Sequence, residues 1–182
     1  DKSKPQPSSL PQGTLVQVPL SRSLVYSSVH CSLLDELEAV NQIKGVCDLS
    51  YISIPSIQEG CRSGKITNAG NSMSPDIEKI IDMHPDAILL SPYENSNGYG
   101  RIEKLNIPII ECADYMETSP LGRAEWMRFF GLLYGCEHKT DSLFAQVEKE
   151  YSDIKSKTSS LSERPSVFSE LKIGSTWYVA GG

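Results

Sequence analysis

Several things are missing from this sequence, and each absence narrows its function. No apolar run approaches the roughly 20 residues that a bilayer-spanning helix needs. No Lys/Arg cluster occurs, and 17 basic against 23 acidic residues leave a net charge of −6. A chain of that balance is poorly suited to holding a phosphate backbone, so nucleic acid is demoted as a partner. There is no P-loop and no G-x-G-x-x-G. Gly70-Asn71-Ser72-Met73-Ser74 stops short of a nucleophile elbow because its last residue is serine rather than glycine. The five cysteines (Cys31, Cys47, Cys61, Cys112 and Cys136) contain no C-x-x-C pair and no zinc-finger spacing. Their odd number argues against a full disulfide framework and for buried small hydrophobes, with one Cys47–Cys61 bridge left open for an oxidising compartment. His30-Cys31 makes a poor catalytic pair, since neighbours on a helix point in different directions. His84 and His138 stand at helix ends and read as surface or capping residues. No enzyme signature survives.

What is present is ordinary globular composition, 39% hydrophobic and 22% charged over 182 residues. That supports one sizeable core, or one domain and part of another. Residues 1–13, DKSKPQPSSLPQG, are polar, rich in Pro and Ser and without periodicity; they read as a flexible tether. At the other end, residues 163–182 lay down a strand-like run and an aromatic stretch with nothing after them to cover an apolar face. The expectation is the start of a second lobe, cut short.

Between these ends strand and helix alternate. Residues 14–18 and 23–27 are β-rich, and Cys31, Leu34 and Leu37 have helical spacing. Residues 43–46 predict a short strand, and residues 87–90 and 108–110 predict strands buried on both faces. Ser74-Pro75-Asp76 predicts a helix start with Ser74 as N-cap and Pro75 at the first helical position, running to about Met83. A further helix is expected near residues 101–105, then an aromatic-rich one over 120–134 and a long one over 139–161. The long helix carries a narrow stripe of Leu143, Val147, Tyr151, Ile154 and Leu161. The fold class is therefore α/β: a parallel-sheet α/β sandwich lobe (14–136), a long connecting helix (137–162) and the beginning of a second α/β lobe (163–182).

Open α/β sheets bind ligands beyond the carboxyl ends of their strands. The loops expected there carry Ser28, His30, Tyr51, Asn71, Met73, Tyr93 and Tyr115, and the incoming second lobe adds Trp177 and Tyr178. Aromatics, one thioether and few charges suit a broad cleft for a large, partly apolar ligand. Glu78 falls in the first turn of its helix, where the macrodipole alone accounts for an acid.

The stretch from Asn68 to Glu94, NAGNSMSPDIEKIIDMHPDAILLSPYE, resembles the first lobe of the periplasmic-type substrate-binding proteins of ABC importers. The subgroup is the one with a helical backbone, serving ferric siderophores, haem and vitamin B12. Pro75-Asp76-Ile77-Glu78-Lys79-Ile80 and Pro85-Asp86-Ala87-Ile88-Leu89 carry the likeness, and Leu105-Asn106-Ile107-Pro108-Ile109 is similar to that family's turn into its fourth strand. The resemblance implies two lobes joined by one long helix, with ligand between them and no cofactor of the protein's own. It implies a periplasmic protein or a membrane-anchored lipoprotein, monomeric, that partners an ABC permease dimer and its ATPase. The cargo would be an iron chelate (ferric siderophore or haem), or alternatively cobalamin; a metal-binding enzyme or a sensor module on the same fold is the rival from another class. Glu78 would dock into permease arginines. Some haem-binding relatives use the methionine of a similar Met-Ser-Pro-Asp-x-Glu segment as an axial iron ligand, which makes Met73 a candidate iron ligand, besides a cleft wall or a core residue.

Overall fold

The computed structural model of the chain describes residues 1–5, 7–92, 98–163, 165–166, 172–173 and 175–177, the side chains of Lys172, Ile173 and Trp177 excepted. Tyr93, Tyr178 and the side chain of Trp177 thus lie outside the described residues.

Strand β1 (Ser23–Val25) leads into helix α1 (Ser28–Glu36), then β2 (Ile43–Val46), α2 (Pro55–Arg62) and β3 (Thr67–Asn68). A two-stranded hairpin, β4 (Gly70–Asn71) and β5 (Ser74–Pro75), precedes α3 (Ile77–Met83). Strand β6 (Ala87–Leu90) and strand β7 (Ile109–Glu111) follow, with a 3₁₀ turn over Gly100–Leu105 between them. Helices α4 (Pro120–Tyr134) and α5 (Glu137–Ser159) come next, then a short antiparallel pair, β8 (Lys172–Ile173) and β9 (Thr176–Trp177).

The main sheet is wholly parallel, in the order β3-β2-β1-β6-β7. Alternation along its strands sorts the apolar residues onto two faces. Leu24, Ile88 and Leu90 pack with Ile80, Met83 and Ile102 on one side. Val25, Ala87 and Leu89 pack with Leu34, Phe130 and Tyr134 on the other. All four residues of β6 are buried, as its unbroken apolar run predicts. Close approaches are made where side chains are absent: a Cβ on Gly45 would meet Met83 Cε at 2.6 Å.

The expected α1, β2, α3, β6 and α4 are all present, and six differences have physical reasons. Residues 14–18 form no strand; Val16 and Val18 instead pack on the core, and the chain enters the sheet only at Ser23. The polar leader is pinned near its start, where Lys2 Nζ donates to Asp86 Oδ2 at 2.9 Å and Lys2 N to the Val18 carbonyl at 2.7 Å. Ser74 and Pro75 belong to the hairpin, so Asp76 caps α3, accepting from Lys79 N at 3.1 Å. Strand β7 is an edge strand with Ile109 half-buried and Glu111 exposed, so it is not covered on both faces. Residues 100–105 form a 3₁₀ turn rather than an α-helix. Helix α2, with Ile57 and Gly60 buried, has no polar N-cap to announce it.

Helix α5 is 23 residues, about 35 Å long. It meets α4 near its start, burying Thr140 and Phe144, while Val147 and Ile154 further along are 37% and 62% exposed.

Candidate functional site

From β1 the chain first moves to β2 and β3 on one side of the sheet, then crosses to β6 and β7 on the other. The carboxyl ends of β1 and β6 are therefore the switch point at which such sheets form a crevice. Ser27 and Ser28 leave β1 there, and Ser91 leaves β6. Ser27 caps α1, its hydroxyl accepting from Val29 N at 3.2 Å.

A trough runs along this edge as three adjoining depressions of about 310, 240 and 430 Å³. The middle one shares Tyr26 and Ser72 with the first, and Ser27 and Ser91 with the third. The first is mostly apolar, walled by Tyr26, Met73, Ile77, Leu90, Tyr99 and Ile102. The middle is lined with hydroxyls and bordered by Tyr51, and the third by Tyr115.

Met73 stands at the tip of the β4–β5 hairpin, 77% exposed. That exposure removes the core-filling alternative. The tip is fixed from below: Asp48, in the left-handed region at φ 51°, donates its amide to the Gly70 carbonyl at 2.7 Å. Both Asp48 carboxylate oxygens accept from Ser72 N at 3.3 Å. Asn71 Oδ1 accepts from Met73 N at 2.8 Å, so Asn71 shapes the hairpin that presents the thioether.

The tyrosines differ in role. Tyr51 is 80% exposed. The Tyr115 hydroxyl donates to the Pro92 carbonyl at 2.7 Å, which leaves its ring toward the trough's third part. Tyr99 donates to Glu111 Oε1 at 2.7 Å. Burial, together with that carboxylate, drives the Tyr99 phenol well above the ordinary tyrosine range and keeps it a neutral donor.

His30 departs from its expected place on the cleft wall. Its side chain is 2% exposed and turned inward from the first turn of α1, where Nε2 lies 2.7 Å from Asp114 Oδ1. The Phe130 ring packs on the imidazole at 5.2 Å. Nδ1 has no hydrogen-bond partner among the described residues. Its position supports the floor beneath Asp114, which itself borders the third depression.

Ser28, Tyr51, Met73 and Tyr115 thus line one edge, with Asn71 behind Met73 and His30 beneath. Glu78 lies apart from them in the first turn of α3, exposed and without an ion pair among the described residues. Sequence reasoning missed the trough's Arg101 and Arg123, and Asp114 as the partner of His30. A pairing across 84 positions leaves no local signal. Among the described residues the five cysteines are free thiols, and no three His, Cys, Asp or Glu side chains are grouped as a metal ion would need. No helix among them is long and apolar enough to cross a membrane.

The chain is 30% identical, over 151 residues, to an uncharacterized lipoprotein of Methanocaldococcus jannaschii, an alignment covering 79% of this chain and 36% of that protein. Among solved structures it is similar to the petrobactin-binding protein YclQ of Bacillus subtilis, with a TM-score of 0.60, 20% identity, and 78% of this chain aligned to 48% of that one. It is also similar to the periplasmic heme binding protein HutB of Vibrio cholerae, with a TM-score of 0.57, 14% identity, and 75% of this chain aligned to 49% of that one. These two likenesses show the shared α/β fold. The chain spans about a third of the curated relative and about half of each solved chain. Residues 30–182 match the family model described as periplasmic binding protein, and the chain belongs to that family.

Proposed function

We propose that this chain supplies the first lobe of an extracytoplasmic solute-binding protein, which captures an iron chelate (a ferric siderophore or haem) and delivers it to an ABC importer without chemical change. The observation that carries this reading is the trough at the carboxyl edge: an apolar wall, a hydroxyl-lined middle and an outward thioether, all on one face. Such a face suits a large ligand with an apolar body and a few polar groups. The named functions of the two similar solved proteins, petrobactin binding and heme binding, support the same class. The lipoprotein relative supports an extracytoplasmic location at a membrane surface.

In this reading residues 14–136 form the lobe, 137–162 the connecting helix, and 163–182 the entry to a second lobe. The exposed Val147 and Ile154 on α5 then offer apolar contacts to that second lobe. Ser28, Tyr51, Met73 and Tyr115 contact the ligand, Met73 being the candidate haem-iron donor, and Tyr93, Trp177 and Tyr178 are further ligand contacts in this proposal. Glu78 docks to a permease arginine as a charge-assisted pair. The test is co-elution: full-length protein mixed with haemin or a ferric siderophore and passed over gel filtration should retain one equivalent of iron per chain. Failure to retain any chelate would reject the reading. Loss of uptake in Glu78→Ala cells, with chelate retention intact, would support the docking role; unchanged uptake would reject it.

A further inference from the structure

Among the described residues, four charged ones line the trough: Arg101, Asp48, Asp114 and Arg123. The two acids are committed to the protein. Asp48 holds the Ser72 amide, and Asp114 lies against His30. The two arginine side chains are not so committed among the described residues, and this sets them apart from the other described arginines. Arg22 donates to the carbonyls of Met83 and His84, Arg62 pairs with Glu59, and Arg128 pairs with Glu125 and Asp141. The guanidinium groups of Arg101 and Arg123 have no hydrogen bond or ion pair among the described residues. They also stand apart along the trough. Arg101 borders the apolar depression at one end and Arg123, in the first turn of α4, the depression at the other.

A planar guanidinium matches a carboxylate or catecholate oxygen pair, and its five donors are wasted on an apolar or cationic group. The chain as a whole carries −6, so a long-range field would repel an anion rather than gather it. Local contacts must do the selecting. Resting on the reading above, we infer that the ligand is an anionic chelate, held at its two ends by Arg101 and Arg123, with its apolar body against Tyr26, Met73 and Ile77. Uncharged chelates, which fit the apolar wall equally well, would offer the two guanidinium groups only weaker, neutral acceptors.

The test measures affinities of the full-length protein for three iron probes: haemin with its two propionates, a trianionic ferric tris-catecholate, and an uncharged ferric tris-hydroxamate. At least one anionic probe should bind more tightly than the uncharged one. Arg101→Gln and Arg123→Gln should each weaken that anionic probe by about 10-fold or more, as loss of a charge-assisted hydrogen bond does. Arg→Lys should restore part of the loss, and raised salt should weaken the wild type more than the double variant. Both side chains are exposed and without a partner among the described residues, so the melting temperature should stay unchanged. Preference for the uncharged probe, or anion binding indifferent to both substitutions, would overturn the inference while leaving chelate capture standing. Failure to bind any of the three would overturn both.

Discussion

His30 Nε2 and Asp114 Oδ1 lie 2.7 Å apart beneath the trough, tying the first turn of α1 to the loop after β7. The imidazole is 2% exposed and is backed by Phe130, so the pair works at low local dielectric. Removing one partner strands the other. Asp114→Ala leaves both ring nitrogens of His30 without a bond among the described residues and should cost about 1–3 kcal/mol in urea unfolding. Asp114→Asn, which can still accept from Nε2–H, should recover most of that loss. Equal stability of Asp114→Ala and wild type would show the pair to be incidental.

Met73 is presented rather than packed. Because its side chain is 77% exposed, Met73→Ala should change stability by less than about 0.5 kcal/mol. Chelate affinity should fall, and with haemin the Soret band of the complex should shift, since a soft axial donor is lost. A haemin spectrum identical to wild type would return Met73 to a wall residue.

The α4–α5 contact depends on a missing side chain. A Cβ on Gly131 would lie 3.0 Å from Thr140 Cβ and still nearer to the Thr140 hydroxyl. Thr140 is fully buried at the start of α5, its hydroxyl donating to the Glu137 carbonyl at 2.9 Å. Gly131→Ala should therefore destabilise by about 1–3 kcal/mol through overpacking, despite alanine's better helix propensity. Thermal unfolding that shows stabilisation would contradict this packing.

Three thiols set an alkaline limit. Burial pushes Cys31, Cys47 and Cys112 up from an ordinary 9.0 to about 12. Below pH 9 each is a neutral thiol whether folded or unfolded, and stability is at its full value. Between about pH 9 and 12 the unfolded chain ionises first and binds fewer protons, so stability falls as pH rises, by up to about 1.4 kcal/mol per pH unit for each thiol. Urea midpoints across pH 8 to 11 check the slope. At pH 8 a thiol reagent should modify only the half-buried Cys61 and Cys136 in the native protein, and all five cysteines once it is unfolded.

What could be read from the sequence follows from how local each signal is. The apolar run of β6 and the serine, proline and glycine bounding α4 act within a few residues, and both elements stand where they were expected. Ser74-Pro75 misled because a hairpin claimed it: Gly70 pairs with Pro75 across a two-residue turn, which moved the cap to Asp76. In the site, the loops at the carboxyl edge were legible from the alternation of strand and helix, and Tyr51 and Met73 are exposed there. The inward turn of His30 was not, since it depends on an aspartate 84 residues away and a phenylalanine on α4. Arg101 and Arg123 sit inside helical turns, where a charge ordinarily reads as a solvated face.

In the proposed function the trough is the face on which an iron chelate is held. Ser91, half-buried at the join of the middle and third depressions, is the place to block it. Equilibrium dialysis of full-length wild type and Ser91→Trp against haemin and a ferric siderophore, with iron as the readout, tests this most directly. One equivalent of iron per wild-type chain and at least about a 10-fold loss of affinity in the variant are expected, with both proteins folded by circular dichroism. Equal retention by the two proteins, or none by the wild type, would contradict it.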